Sequence, residues 1–209
     1  MDADPRALVA AGYERMADQY LAAKDPDDLV LPAALSRLAA PLPDGAAVLD
    51  LGCGAGVPAA AWLARRFHVT GVDVATRQIA LARQHVPQAT FLQADMTTCT
   101  FPPASFAAVL ALYSIIHVPR TEQPALLAAI HDWLRPGGRF LATWALTAWE
   151  GREPNWQGWG APMWWSHYDA AASRAMLEAA GFAIVDARVE ASGGETWLWL
   201  LAQREDGGR

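Results

Sequence analysis

The 209-residue sequence predicts an α/β protein: a doubly wound, mostly parallel seven-stranded sheet with helices on both faces and a C-terminal antiparallel hairpin. Three observations carry that prediction. Short apolar runs alternate with helical patterns from about residue 45 to 144, a rhythm that calls for a parallel sheet covered on both faces. The first apolar run passes into Asp50-Leu51-Gly52-Cys53-Gly54-Ala55-Gly56, where glycines admit positive φ and let a ligand approach the main chain without meeting a Cβ. The last two runs, 182–190 and 195–202, flank the tight turn Ser192-Gly193-Gly194, and strands joined so closely must be antiparallel.

Each element follows in order. Asp4-Pro5 starts a helix with proline at its first position, and Tyr13, Met16 and Tyr20 share a face as it runs to about Ala23. Asp25-Pro26-Asp27-Asp28 breaks it, a second helix covers about Leu31 to Ala40, and Pro41–Gly45 leads into the sheet. Strands are expected at 47–51, 69–73, 90–93, 106–112 and 139–144, with helices at 58–67, 76–85 and 121–134. A helix at 169–180, stopped by Gly181, precedes the hairpin. Between them, 145–168 is rich in tryptophan, glycine and proline and reads as an irregular cap; six of the ten tryptophans fall within 22 residues, Trp144 to Trp165.

Composition narrows the function. A chain 53% hydrophobic and 18% charged is globular. Net charge is −6 and the arginines are scattered among acids, so no basic stripe for nucleic acid is seen. The two cysteines, Cys53 in the turn and Cys99 in a loop, make no disulfide framework and suit a reducing cytoplasm. Met1–Pro5 lacks the basic and apolar regions of a signal peptide, and no apolar run reaches about eighteen residues. A cytoplasmic protein with no membrane span, monomer or homodimer, is expected.

The acids at the strand ends point to a ligand. Asp50, two residues before Gly52, would repel a pyrophosphate and suits an ammonium or sulfonium; Val57 stands where the dinucleotide fingerprint has its third glycine. Asp73, nineteen residues after Gly54, ends the second strand, where an acid takes ribose hydroxyls through charge-assisted bonds worth roughly 1.5–3 kcal/mol each. Asp95 with Met96 ends the third, placed to accept from an adenine amine and pack its ring. Helix caps and a tight turn are the plainer explanation of each piece taken alone.

These pieces resemble the class I, seven-stranded S-adenosylmethionine-dependent methyltransferases of small-molecule type. The matching stretches are Val48–Pro58, Val69–Arg83, Phe91–Met96, Ser105–Arg120 and Leu134–Trp144, in the family's order and spacing. The resemblance implies that Gly52 and Gly54 hold the methionine portion of S-adenosyl-L-methionine, that Asp73 takes the ribose, and that Asp95 and Met96 take the adenine. It sets the main chain of Leu112 and Tyr113 beneath the amino-acid end, with S-adenosyl-L-homocysteine as product. It divides one domain into a helical lid (1–44), a cofactor-binding core (45–144), the cap (145–168) and a C-terminal helix and hairpin (169–204). Tyr13 and Tyr20, in YERMADQY, resemble lid tyrosines over cofactor and acceptor, although core packing explains them equally well.

The acceptor should lie beyond the strand ends, against a cap whose tryptophans, Trp144 and Trp164 among them, wall an apolar pocket or else plug the sheet end. Methyl transfer chiefly needs alignment, and a base only where the acceptor arrives protonated. His117, past the fourth strand, is the first candidate; His167 beside Tyr168 is the second. His68, His85 and His131 read as surface residues, and nothing has the spacing of a metal site. The expected activity is therefore methylation of an oxygen or nitrogen on a small apolar or aromatic acceptor. A non-catalytic or repurposed S-adenosylmethionine binder stays open, as does a nicotinamide oxidoreductase, against which Asp50, Val57 and the hairpin count.

Overall fold

The structure, a computed structural model, describes residues 4–25, 27–192 and 194–205. Met1 to Ala3, Pro26 of the helix break, Gly193 of the hairpin turn and the tail 206–209 lie outside the described residues.

The sheet is built on its most apolar segments. Strands β1 (Ala47–Leu51), β2 (His68–Asp73), β3 (Thr90–Gln93), β4 (Phe106–Ala111) and β5 (Leu134–Trp144) run parallel, and β8 (Phe182–Ser192) and β9 (Glu195–Arg204) add antiparallel, in the order β3-β2-β1-β4-β5-β9-β8. β4 is buried at every residue, as a central parallel strand covered on both faces must be. The register aligns Leu51 with Val72, Asp73 with Gln93 and Asp50 with Leu110, so four strands finish along one edge of the sheet. The strand order reverses between β1 and β4, and the crevice beyond that point is where open α/β sheets take ligands.

Helices cover both faces. On one, α2 (Val30–Ala39), α3 (Ala59–Leu63) and α4 (Thr76–His85) set Leu35, Leu63 and Ile79 against Val48 and Leu110. On the other, α5 (Gln123–Trp133) and α6 (Ala170–Ala179) set Leu127, Ile130 and Leu177 against Val109 and Phe140. α1 (Pro5–Ala22) is capped as expected: Asp4 accepts from the Arg6 N–H at 3.0 Å and Pro5 opens the helix. It packs over the strand ends, where Val9 and Met16 join Ile116, Met163 and Trp165. Among the described residues, no helix is long and apolar enough to cross a membrane.

Three expectations need correction. α3 is five residues rather than ten, because the chain must turn in time to pair His68 with Ala47. β5 begins at Leu134, five residues early, since its pairing with β4 resumes across an irregularity between Phe106 and Ala108. The cap is not irregular: β6 (Trp149–Glu153) and β7 (Met163–His167) pair antiparallel as a second small sheet. Its loop spans residues 154–162, longer than the two-to-five-residue links that betray a hairpin, and takes positive φ at Gln157, Gly158 and Gly160.

Candidate functional site

The glycine turn is knitted to its neighbours by main-chain bonds. The N–H groups of Gly52 and Cys53 both donate to the Val72 carbonyl, at 2.8 and 3.0 Å. Gly52 has φ +77°, and a Cβ there would stand 2.3 Å from the Cβ of Ser114, so only glycine fits. Ser114 in turn donates to the Leu51 carbonyl at 2.7 Å, spanning the β1–β4 crevice. The Gly54 N–H donates to Asp73 Oδ2 at 2.9 Å and the Ala75 N–H to Oδ1 at 3.0 Å. Burial pushes the Asp73 carboxyl up while these amides pull it back, and each oxygen keeps a lone pair for a ligand hydroxyl.

Asp50 sits beneath the turn rather than on the cleft wall. It is 2% exposed, and Oδ2 finds no hydrogen-bond partner among the described residues. Burial, and next the charge of Asp73, push its carboxyl up to about 7, with Lys24 opposing. A cation bound above the turn would favour the ionised form. Gln78, on α4, is the second orphan: it is 1% exposed, and neither amide atom has a partner among the described residues. It lines the cleft near Gly54 and was missed from sequence. The available signal was a polar residue on the buried face that also carries Ile79 and Ala82.

The cleft itself lies over the strand ends. Gly52, Gly54, Asp73, Asp95, Met96, Leu112 and Tyr113 line it, as expected, and α1 covers it with Arg6, Tyr13 and Tyr20. Asp95 spends Oδ1 on the N–H and hydroxyl of Thr97, both at 2.8 Å, while Oδ2 lies 3.9 Å from Arg6 Nε. Arg6 also pairs with Glu122 at 3.2 Å, and Glu14 accepts from the Arg77 N–H at 2.8 Å. These ties hold α1 down, leaving a cavity of about 90 Å³. Ligand pockets run to roughly 300–1,000 Å³, so the cleft under α1 is narrow for its length of lining. Arg6 was not foreseen as part of the site.

His117 stands at the far end of this cleft. Its Nδ1 lies 2.7 Å from the Trp164 carbonyl, which can only accept, so Nδ1 carries the proton. The bare Nε2 then accepts from the Tyr13 hydroxyl, 2.9 Å away. Burial lowers the imidazole to about 4, so it stays neutral near pH 7. Burial also pushes the Tyr13 phenol well up, which keeps it the donor.

Beyond lies a second pocket of about 620 Å³. Trp156, Trp159, Trp165 and Trp197 form much of its wall, and among the described residues Tyr13, Tyr20 and Tyr113 alone line both cavities. Tyr113 holds φ +54°, a strained conformation for a residue with a side chain. Ser192 donates to Asp28 Oδ2 at 2.8 Å, so its own oxygen accepts from the Tyr113 hydroxyl, also at 2.8 Å.

Besides Asp50, four expected site residues fall outside both cavities. Trp144 is 2% exposed and packs on the α5–α6 side of the sheet, because neighbouring Thr143 takes the face toward Tyr113. Trp164 alternates with Met163 and Trp165 along β7 and turns away from the pocket; its carbonyl, not its indole, serves His117. His167 Nδ1 bonds the Thr147 carbonyl at 2.8 Å, and Tyr168 lies under the Arg120 guanidinium at 5.5 Å. Strand alternation and local bonds place all four. Trp197, on β9, was missed because no cap motif extends that far.

Residues 48–138 match the family described as "Methyltransferase domain". Phosphoethanolamine N-methyltransferase of Triticum aestivum is 33% identical over 106 residues, 48% of this chain and 20% of that protein. The 2-phytyl-1,4-naphtoquinone methyltransferase of Thermosynechococcus vestitus is 38% identical over 105 residues, 47% of this chain and 45% of that one. The chain thus spans less than half the length of these relatives. The crystal structure of magnesium protoporphyrin IX methyltransferase from Synechocystis, with bound S-adenosylmethionine, superposes with a TM-score of 0.76 at 18% identity, covering 98% of this chain and 99% of that one.

Proposed function

We propose that this chain, whose residues 48–138 match a methyltransferase domain, is a class I S-adenosylmethionine-dependent methyltransferase that moves a methyl group from that cofactor to an oxygen or nitrogen of a small aromatic or apolar acceptor. One observation carries the reading: a cleft over the strand ends and a larger aromatic pocket meet at three tyrosines.

The cleft's residues fit the cofactor. The turn leaves no room for a side chain at Gly52, Asp50 offers an unpaired carboxylate oxygen beneath a cation, and Gln78 offers an unpaired amide. Asp73 would take the ribose hydroxyls, and Asp95 would exchange Arg6 for the adenine amine beside Met96. When bound, S-adenosylmethionine supplies an electrophilic methyl group on a sulfonium, ready for in-line displacement.

The chain's own work is alignment and exclusion of water. Tyr13, Tyr20 and Tyr113 would line the path between cavities, where their ring faces favour a sulfonium. His117 fixes Tyr13 by accepting a hydrogen bond from its hydroxyl, so the phenol oxygen keeps a lone pair for an acceptor O–H or N–H. With its imidazole near 4, His117 is a positioning residue rather than a proton store, and proximity supplies most of the acceleration. Calorimetry with S-adenosylhomocysteine, followed by transfer of labelled methyl to an acceptor panel, tests the proposal. Micromolar binding with label transfer is expected; absence of binding would overturn it.

A further inference from the structure

The 620 Å³ pocket carries a charge pattern of its own. Its ionisable lining is Lys24 against Asp25, Asp28 and Glu195, one cation facing three carboxylates, with no arginine or histidine among the described residues that line it. A phosphate or carboxylate on an acceptor would meet repulsion there. Its rings are closely set: Trp156 lies 5.4 Å from Trp159 and 5.9 Å from Tyr20, and Trp197 lies 5.1 Å from Tyr113. The pocket also shows how it treats a cation. The Lys24 ammonium rests 4.8 Å from the centroid of the Tyr20 ring, and no ion pair to it is found among the described residues.

Resting on the methyltransferase reading, we propose that this pocket receives a flat aromatic ring bearing a protonated alkylamine, with the ring against Trp156, Trp159 and Trp197 and the charge between Tyr20 and the carboxylates of Asp28 and Glu195. Lys24 is then a built-in competitor on the Tyr20 face. Glu195, whose carboxyl is pushed up by burial and by Glu153, ionises more readily beside an added cation.

Three probes that differ only in the side-chain terminus test this: tryptamine, tryptophol and indole-3-acetate, titrated calorimetrically with and without saturating S-adenosylhomocysteine. Affinity should fall in that order, at least tenfold from first to last. Lys24→Met should tighten tryptamine at least threefold, a gain that misfolding cannot produce, and Glu195→Gln should weaken it threefold. Equal binding of the three, preference for the acetate, or an unchanged or weaker Lys24→Met complex overturns the amine assignment. Homocysteine-nucleoside binding is read separately, so its failure overturns the methyltransferase reading while the probe order still decides the pocket.

Discussion

The cleft and the pocket that share three tyrosines are built in opposite ways. The cleft comes from four consecutive strand ends and their turns, sets Asp73 and Asp95 beside main-chain amides, and measures about 90 Å³ under α1. The pocket comes from the end of α1, the loop before α2, the cap and the β8–β9 hairpin, is walled by indoles, and opens to about 620 Å³. Strand ends are rigid and their geometry is set by sheet register, so they suit a ligand that never changes. Loops and caps on such a scaffold are free to vary, so they suit a ligand that does. The contrast predicts that damage to the cleft abolishes cofactor binding, whereas damage to the pocket alters acceptor choice alone.

The most severe test of that division is Gly52→Ala. The new Cβ meets Ser114 at 2.3 Å in a left-handed backbone, so strain and overpacking should destabilise the fold by roughly 3–5 kcal/mol. A denaturant melt should show it, with loss of S-adenosylhomocysteine binding; Trp159→Ala should leave that binding intact.

Next in size are two opposing pH effects. Asp50, raised to about 7 when folded, favours the native state below an ordinary carboxyl pKa and loses that stability as pH climbs from about 4 through 7. His117, lowered to about 4, favours the native state above the ordinary histidine pKa near 6.5 and loses that stability as pH falls toward 4. Each is worth up to about 3–4 kcal/mol across its window. Between pH 4 and 6.5 the two largely cancel. Asp50→Asn should therefore make stability rise with pH over that range, and His117→Gln should make it fall; parallel slopes in the two variants would contradict the burial argument.

Asp73→Asn should weaken cofactor binding by about 2 kcal/mol, roughly thirtyfold, through loss of charge-assisted ribose bonds. A calorimetric titration that gives an unaltered dissociation constant would remove the ribose assignment. Tyr13→Phe, at the junction, should lower turnover about fivefold through about 1 kcal/mol of lost orientation while sparing cofactor affinity. Equal loss of both would move Tyr13 wholly into the cleft. Smallest of all, His167→Asn should leave turnover within about twofold, because its ring bonds the Thr147 carbonyl outside both cavities.

How much of this was legible differs between the two sites. Gly52, Gly54, Asp73, Asp95 and Met96 were readable because each sits at a strand-to-loop boundary, which local apolar runs mark. Gln78 escaped because a helix residue's orphaned amide is visible only once its neighbours are known. Arg6 escaped for a related reason: its partners, Asp95 and Glu122, lie some ninety or more residues along the chain. In the pocket, tryptophan content was readable but tryptophan direction was not. Trp164 and Trp165 are adjacent in sequence and face opposite ways on β7, and no composition argument distinguishes them until the pairing of β6 with β7 is known.

By itself, then, the sequence determined the alternation of strands and helices, the closing hairpin and most of the residues that line the strand-end cleft, because those depend on short-range patterns of burial, turn chemistry and spacing. Tertiary structure alone decided which aromatic rings line the pocket, that His117 is tied to Tyr13 and the Trp164 carbonyl, and that α1 lies over the cleft. Those features join segments about fifty to a hundred and sixty residues apart, and strand parity and long-range register, rather than any local preference, set them.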